Sequence, residues 1–162
     1  SLEIAREFLK KLNLFNFSKI NSESEFINQL DEQTNLLQET LPSKSWGISR
    51  KVINIFLFQA VHDIFLNKEY NLDKIIPFME VPLDNPNARE LLERGKEKGI
   101  TLRWVNIKTL TKEMNKELED FAKKLAKSLE DEKYKILDEH EFSRVVLIGK
   151  DKKKMKIKES EI

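Results

Sequence analysis

The sequence predicts a mainly α protein: a single-domain orthogonal helical bundle over residues 1–162, with a central apolar helix and a small C-terminal β-hairpin over residues 142–158. Three observations predict it. Glycine and proline number only four each in 162 residues while 35% of residues are charged, a helix-rich composition. Apolar residues recur every three to four positions in most segments. Only the last segment is rich in β-branched residues before a turn at 149–151 and alternates apolar residues with lysines after it.

Amphipathic segments define the predicted helices in order. Ser22 and Glu25 have the spacing of a capping box before the second helix, and Pro42 ends that helix. The third helix is apolar on most of its circumference, which predicts that it runs through the core. Asn85 before Pro86 is typical of a helix start. The predicted helices span residues 2–12, 22–41, 48–66, 86–98 and 111–129.

Composition excludes several classes of site. Cysteine is absent, so the chain has neither disulfides nor thiolate metal ligands. The two histidines lie far apart and no metal-ligand spacing occurs, so we predict no metal and no cofactor. Net charge is +1 from 29 basic and 28 acidic residues, so a nucleic-acid face has to be a local patch. No apolar run is long enough to span a bilayer, and we expect a cytoplasmic protein without a membrane partner. The oligomeric state stays open.

The segment 46–51 is the strongest candidate for a phosphate site. Trp46, Gly47 and Ser49 form a predicted turn, and Arg50 and Lys51 follow at the start of the central helix. Unpaired N–H groups and the helix dipole attract anions at such a position. A second polar segment around Asp84 follows about thirty residues later and could place a carboxylate near the lysine.

Both segments resemble signatures of the helix-hairpin-helix DNA glycosylases. Residues 47–57 resemble the hairpin and second helix of that superfamily, whose lyase branch has the pattern G-V-G-R-K-T-A-N-V-V-L. Residues 81–89 resemble its second signature, an aspartate that opens a helix and an arginine five residues later, here Asp84 and Arg89. The resemblance implies that Lys51 is a Schiff-base lysine and Asp84 the catalytic aspartate. It also implies that Gly47 and its neighbours, with Arg50, bind a DNA phosphate.

Base excision needs a pocket that accepts a flipped nucleotide. Trp46 and Trp104 are the candidates for its aromatic lining. Asn54 and Glu80 are further candidates for the pocket, because one follows the turn on the central helix and the other precedes Asp84. A dry pocket would activate Lys51 by lowering its pKa.

Structural roles are the alternatives for the same residues. Arg50 and Lys51 also fit solvated positions at a helix start, and Asp84 also fits a helix cap. Asn54 inside an apolar helix fits a buried amide that fixes a neighbouring loop. Asp31 and Thr34 form a polar notch on the second helix to which the sequence assigns no role.

Three functions therefore remain open. The first is a base-excision enzyme, a DNA glycosylase or abasic-site lyase with DNA as its partner. The second is a non-catalytic nucleic-acid-binding protein that contacts phosphates through the same basic residues. The third is a helical scaffold or subunit, for which part of the apolar helix is exposed on the isolated chain.

Overall fold

The computed structural model describes residues 1–131, with side chains described as far as Ser128. The chain divides into two compact units, Ser1–Pro82 (unit 1) and Leu83–Ile162 (unit 2), and each is described by itself. The sequence predicts a single domain over residues 1–162, and this remains a prediction.

Unit 1 is a set of helices packed around one apolar core. Its helices are α1 (Leu2–Lys11), α2 (Phe15–Ser18), α3 (Glu23–Thr40), α4 (Trp46–His62) and α5 (Ile64–Tyr70), followed by a 3₁₀ helix at Leu72–Phe78. The most extensive contact joins α3 and α4, and α4 also packs on α1, α5 and the 3₁₀ helix. The central position predicted for the apolar helix is thus observed. The fully buried core residues are Phe17, Phe26, Leu30, Leu37, Ile53, Leu57, Leu72 and Ile75.

The start of α3 has the predicted capping box. The Ser22 hydroxyl accepts a hydrogen bond from the Glu25 amide at 3.2 Å. The Glu25 carboxylate in turn accepts from the Asn21 amide at 2.8 Å. Two N–H groups that lack helical partners are satisfied in this way, which fixes where α3 begins.

The central helix is shorter than predicted and begins earlier. It starts at Trp46, because Ser45 is its N-cap and accepts from the Ile48 amide at 3.3 Å. Gly47 is therefore part of the first helical turn and not of a preceding hairpin. The helix stops at Asp63, whose extended backbone and carboxylate cap α5 by accepting from the amides of Phe65 and Leu66. The sequence predicts one helix over residues 48–66. Asp63 divides it into α4 and α5, because its side chain bonds to backbone amides of α5.

Unit 2 contains two packed helices in its described part. They are α6 (Asn85–Glu97) and α7 (Lys112–Asp131), with a 3₁₀ turn at Ile107–Thr109 between them. Asp84 is the N-cap of α6, and Gly99 has a φ of 71° just beyond its C-terminal end, where glycine is favoured. The buried apolar residues of the unit include Leu83, Ala88, Leu91, Leu110, Leu118, Phe121, Ala122 and Leu125.

The predicted fold class is corrected in one respect. Regular structure in residues 1–131 is helical and includes no strand. The β-hairpin predicted over residues 142–158 lies outside the described residues, and a fold class that includes it is wrong for the described chain. β-branched residues favour a strand only where a neighbouring strand pairs with it, and the period-2 pattern carries no information about such a partner.

We predict that Ser22→Ala lowers the free energy of unfolding by about 1 kcal/mol, because it removes the capping oxygen of α3. Ser24→Ala is the matched control, since Ser24 is an exposed residue inside the same helix turn. Urea unfolding followed by far-UV circular dichroism measures both. Equal stability of the two variants would contradict the capping role.

Candidate functional site

Arg50 is the centre of a buried ion-pair network in unit 1. Only 3% of it is exposed, on the side of α4 that faces α3. Its Nε and Nη2 atoms donate to the two carboxylate oxygens of Glu80 at 2.8 and 2.9 Å, a bidentate pair. Its Nη1 atom donates to Asp31 Oδ1 at 2.8 Å and to Thr34 Oγ1 at 3.0 Å. The polar notch on α3 thus has its role: it receives the guanidinium.

Neighbouring residues on α4 extend this network along one helix face. Trp46, Arg50 and Asn54 are each four residues apart and therefore lie on one side of the helix. The guanidinium carbon is 5.0 Å from the centre of the Trp46 ring, a cation–π contact. Asn54 Nδ2 donates to Glu80 Oε2 at 3.1 Å, which satisfies the buried amide. These three hydrogen bonds, two from Arg50 and one from Asn54, fix the segment that carries Glu80 to α4.

The charge state of Arg50 follows from two opposing effects. Burial by itself would lower the pKa of Arg50, because it penalises the charged form. The hydrogen bond and charge of Glu80, followed by those of Asp31, outweigh it and leave the pKa above the usual value. Because the pKa of Arg50 is raised, deprotonation of the arginine would remove this stabilisation only at a pH above that at which an ordinary arginine loses its proton. Arg50 is consequently a permanent cation whose charge is neutralised inside the protein.

The predicted phosphate-binding turn does not exist as a turn. Gly47 and Ser49 are buried, and the Ser49 hydroxyl donates to the Ser45 carbonyl at 3.0 Å within α4. Trp46 is partly buried against Arg50. The side chains of Trp46 and Ser49 thus make contacts within unit 1, and Gly47 lies in the first turn of α4.

Lys51 and Asp84 belong to different units. Lys51 is a partly buried residue of α4 in unit 1. Asp84 is the N-cap of α6 in unit 2, and its Oδ1 accepts from the Asn87 amide at 2.9 Å. Asp84 therefore has the contact expected of a helix cap, the structural alternative to a catalytic role.

In unit 2, Trp104 lies on an extended segment beside α6. Its Nε1 atom donates to Asn85 Oδ1 at 3.1 Å, at the N-terminal end of α6. Leu102 lies near the other end of that helix: a Cβ atom on Gly95 would approach its Cδ1 atom to 3.1 Å. Arg103, between these two residues, donates instead to both carboxylate oxygens of Glu117 on α7, at 2.6 and 3.2 Å. The segment is therefore fixed to α6 on one side and to α7 on the other.

Unit 2 has two exposed arginines near Trp104 in the sequence or on the helix to which it is bonded. Arg89 lies one turn after Asn85 on α6 and is exposed. The hydrogen bond and charge of Glu117 raise the pKa of Arg103, so this arginine is also a permanent cation. The Arg103–Glu117 pair joins residues fourteen positions apart, and the sequence contains no signal for it.

Two classes of site are not observed in the described part of the chain. Within residues 1–131, no three His, Asp or Glu side chains are grouped so that they could hold a metal ion. No helix in this range has the length and apolar character needed to cross a membrane.

One comparison with known families gives a match. Residues 113–150 match the model of a family described as wyosine base formation, a tRNA-modification family. The match covers less than a quarter of the chain and includes most of α7. No curated protein and no solved structure matches the chain.

The resemblance to helix-hairpin-helix DNA glycosylases is therefore wrong, and so is the DNA-repair function derived from it. The matching family concerns tRNA modification. The physical reason lies at Gly47: the glycine is in the first turn of α4, whereas the resemblance requires it in a hairpin loop. The catalytic roles of Lys51 and Asp84 were implied by that resemblance and lose its support.

We predict that Arg50→Met lowers the free energy of unfolding by about 3–5 kcal/mol, because it leaves the carboxylates of Glu80 and Asp31 without their buried cation. Lys51→Met is the matched control on the adjacent position, with an expected change below about 1 kcal/mol. Urea unfolding followed by tryptophan fluorescence and circular dichroism compares them. If the two variants are equally stable, Arg50 is not the centre of the unit.

Proposed function

We propose that this chain takes part in tRNA modification, in wyosine base formation, and that unit 2 contacts the RNA. The observation that carries the proposal is the family match over residues 113–150. The proposal concerns RNA contact and assigns no chemical step to this chain. A role on tRNA is compatible with the cytoplasmic location expected from the sequence.

The exposed face of α7 supports contact with a polyanion. Residues spaced three or four positions apart lie on this face, opposite the buried residues of the helix. They include Lys116, Asp120, Lys124 and Lys127. Lys116 donates to Asp120 at 2.6 Å, so the charge of Asp120 is already paired. The exposed Lys124 and Lys127 are positioned to contact phosphates, which supply most of the affinity in RNA binding.

The sequence after the helix adds positive charge. Between residues 150 and 158 the chain has six lysines and one aspartate. This run begins at the last residue of the family match. Because the whole chain has a net charge of only +1, the basic residues needed for RNA contact have to be concentrated locally, and this run is such a concentration.

Unit 1 contributes less to this role, since the arginine of its predicted phosphate site is used internally. The guanidinium of Arg50 is neutralised by Glu80 and Asp31 and is only 3% exposed. A phosphate at that position would have to displace a bidentate carboxylate from a buried site.

We predict that the double variant Lys124→Glu, Lys127→Glu binds tRNA more weakly than the wild type. The slope of log K against log salt concentration should become shallower by about 1–2, because up to two phosphate contacts are lost. Fluorescence anisotropy of a labelled tRNA transcript between 50 and 300 mM salt measures both quantities.

The control is Lys11→Glu, Lys68→Glu, which makes the same change of net charge on exposed positions of unit 1. We expect this variant to keep nearly the wild-type affinity and slope. An equal loss in both double variants would show that net charge alone matters. Absence of tRNA binding by the wild type at low salt would refute the proposed function.

A further inference from the structure

Trp104 differs from Trp46 in what surrounds its ring. The Trp46 ring is covered by Arg50, a buried residue of the same helix. The Trp104 indole donates its N–H to Oδ1 of the exposed Asn85. It remains partly exposed, on a segment whose neighbouring Val105 is 72% exposed. An indole whose N–H is already satisfied presents apolar ring surface to its surroundings.

The two segments joined by this hydrogen bond each carry an exposed arginine. Arg103 precedes Trp104 in the chain, and its side chain is 57% exposed although it is paired with Glu117. Arg89 lies one helical turn beyond the residue that holds the indole, and it is exposed on α6. Proteins bind unpaired nucleotides with an aromatic ring, on which the base stacks, and with cations that contact neighbouring phosphates.

The local structure keeps this ring in place. Asn85 fixes the indole edge, and the pair between Arg103 and Glu117 fixes the preceding residue to α7. Leu102 is packed close to Gly95, so the segment is held from its other side as well. A ring that is already oriented loses less conformational entropy on binding, which favours a stacking role.

We propose that Trp104 is the stacking platform for an unpaired base of RNA, with Arg89 contacting an adjacent phosphate. This inference rests on the proposed function for its ligand, a tRNA, and specifies which part of that RNA is recognised: a single-stranded nucleotide rather than the helical stem. Bases inside an A-form helix are not accessible to an aromatic side chain, whereas bases of loops are.

The test combines two readouts on the full chain. The variant Trp46→Phe leaves Trp104 as the one tryptophan, so its fluorescence reports on that ring. Titration with a tRNA transcript, and with a uridine octamer as a single-stranded probe, should quench this fluorescence to saturation. An otherwise wild-type chain with Trp104→Leu should bind the labelled transcript about 5- to 100-fold more weakly, the range for loss of one stacked base.

Two further variants separate stacking from structural effects. Trp104→Phe keeps an aromatic face without the N–H donor, and we expect it to retain affinity within about threefold. Asn85→Ala removes the partner of the indole and leaves the ring, so quenching should persist. Thermal unfolding of each variant checks the fold, and if Trp104→Leu is unfolded, the fluorescence titration and Trp104→Phe decide the question.

The outcomes distinguish the two proposals. If the wild type binds tRNA but Trp104 fluorescence does not change, or Trp104→Leu folds and binds as tightly as the wild type, the stacking inference is wrong and the proposed function stands. If the wild type binds no tRNA by anisotropy, the proposed function itself fails. Quenching by the octamer together with weaker binding of Trp104→Leu supports the inference.

Discussion

The buried pair between Arg50 and Glu80 is the interaction on which the interpretation of this chain depends. A guanidinium that is 3% exposed and bonded to two carboxylates and a hydroxyl cannot at the same time bind a phosphate. It joins α3, α4 and the segment before Pro82 into one unit, and buried charges of this kind tolerate no missing partner. What the sequence presents as a basic motif is thus a structural element of unit 1.

Local signals in the sequence predicted much of the fold. Ser22 and Glu25 predict the start of α3, and the apolar stripes predict α1, α3, α4, α6 and α7, although not α2 or the separation of α5 from α4. Asp84 as a helix cap was foreseen among the alternatives. These features depend on residues three or four positions apart, for which the helical geometry supplies the contact.

Contacts between residues far apart in the sequence cannot be predicted from the spacing of residues within one helix. The partners of Arg50 are 16 to 30 residues away, so an arginine near a helix start was assigned to an external anion instead. Gly47 was placed in a hairpin because glycine favours turns, although here Ser45 caps a helix that includes it. Asp31 and Thr34 form a polar notch that the sequence reveals. Its role depends on Arg50 of a different helix, and helical periodicity does not predict which residue of another helix will contact it. Trp104 was proposed for a pocket, and its contacts with Asn85 became visible only in the structure.

The proposed division of roles gives each unit a different physical character. Unit 1 uses its buried arginine to hold its helices together, whereas unit 2 has exposed cations on α6 and α7 and a partly exposed indole that donates to Asn85. The family match lies entirely within unit 2. The central claim is that RNA is contacted there and not at the start of α4.

Hydrogen–deuterium exchange of the full chain, with and without saturating tRNA transcript, tests this claim most directly. If unit 2 contacts the RNA, we expect slower amide exchange in peptides that cover residues 100–131 and unchanged exchange over residues 46–54. Slower exchange over residues 46–54 with no change over residues 100–131 would contradict it.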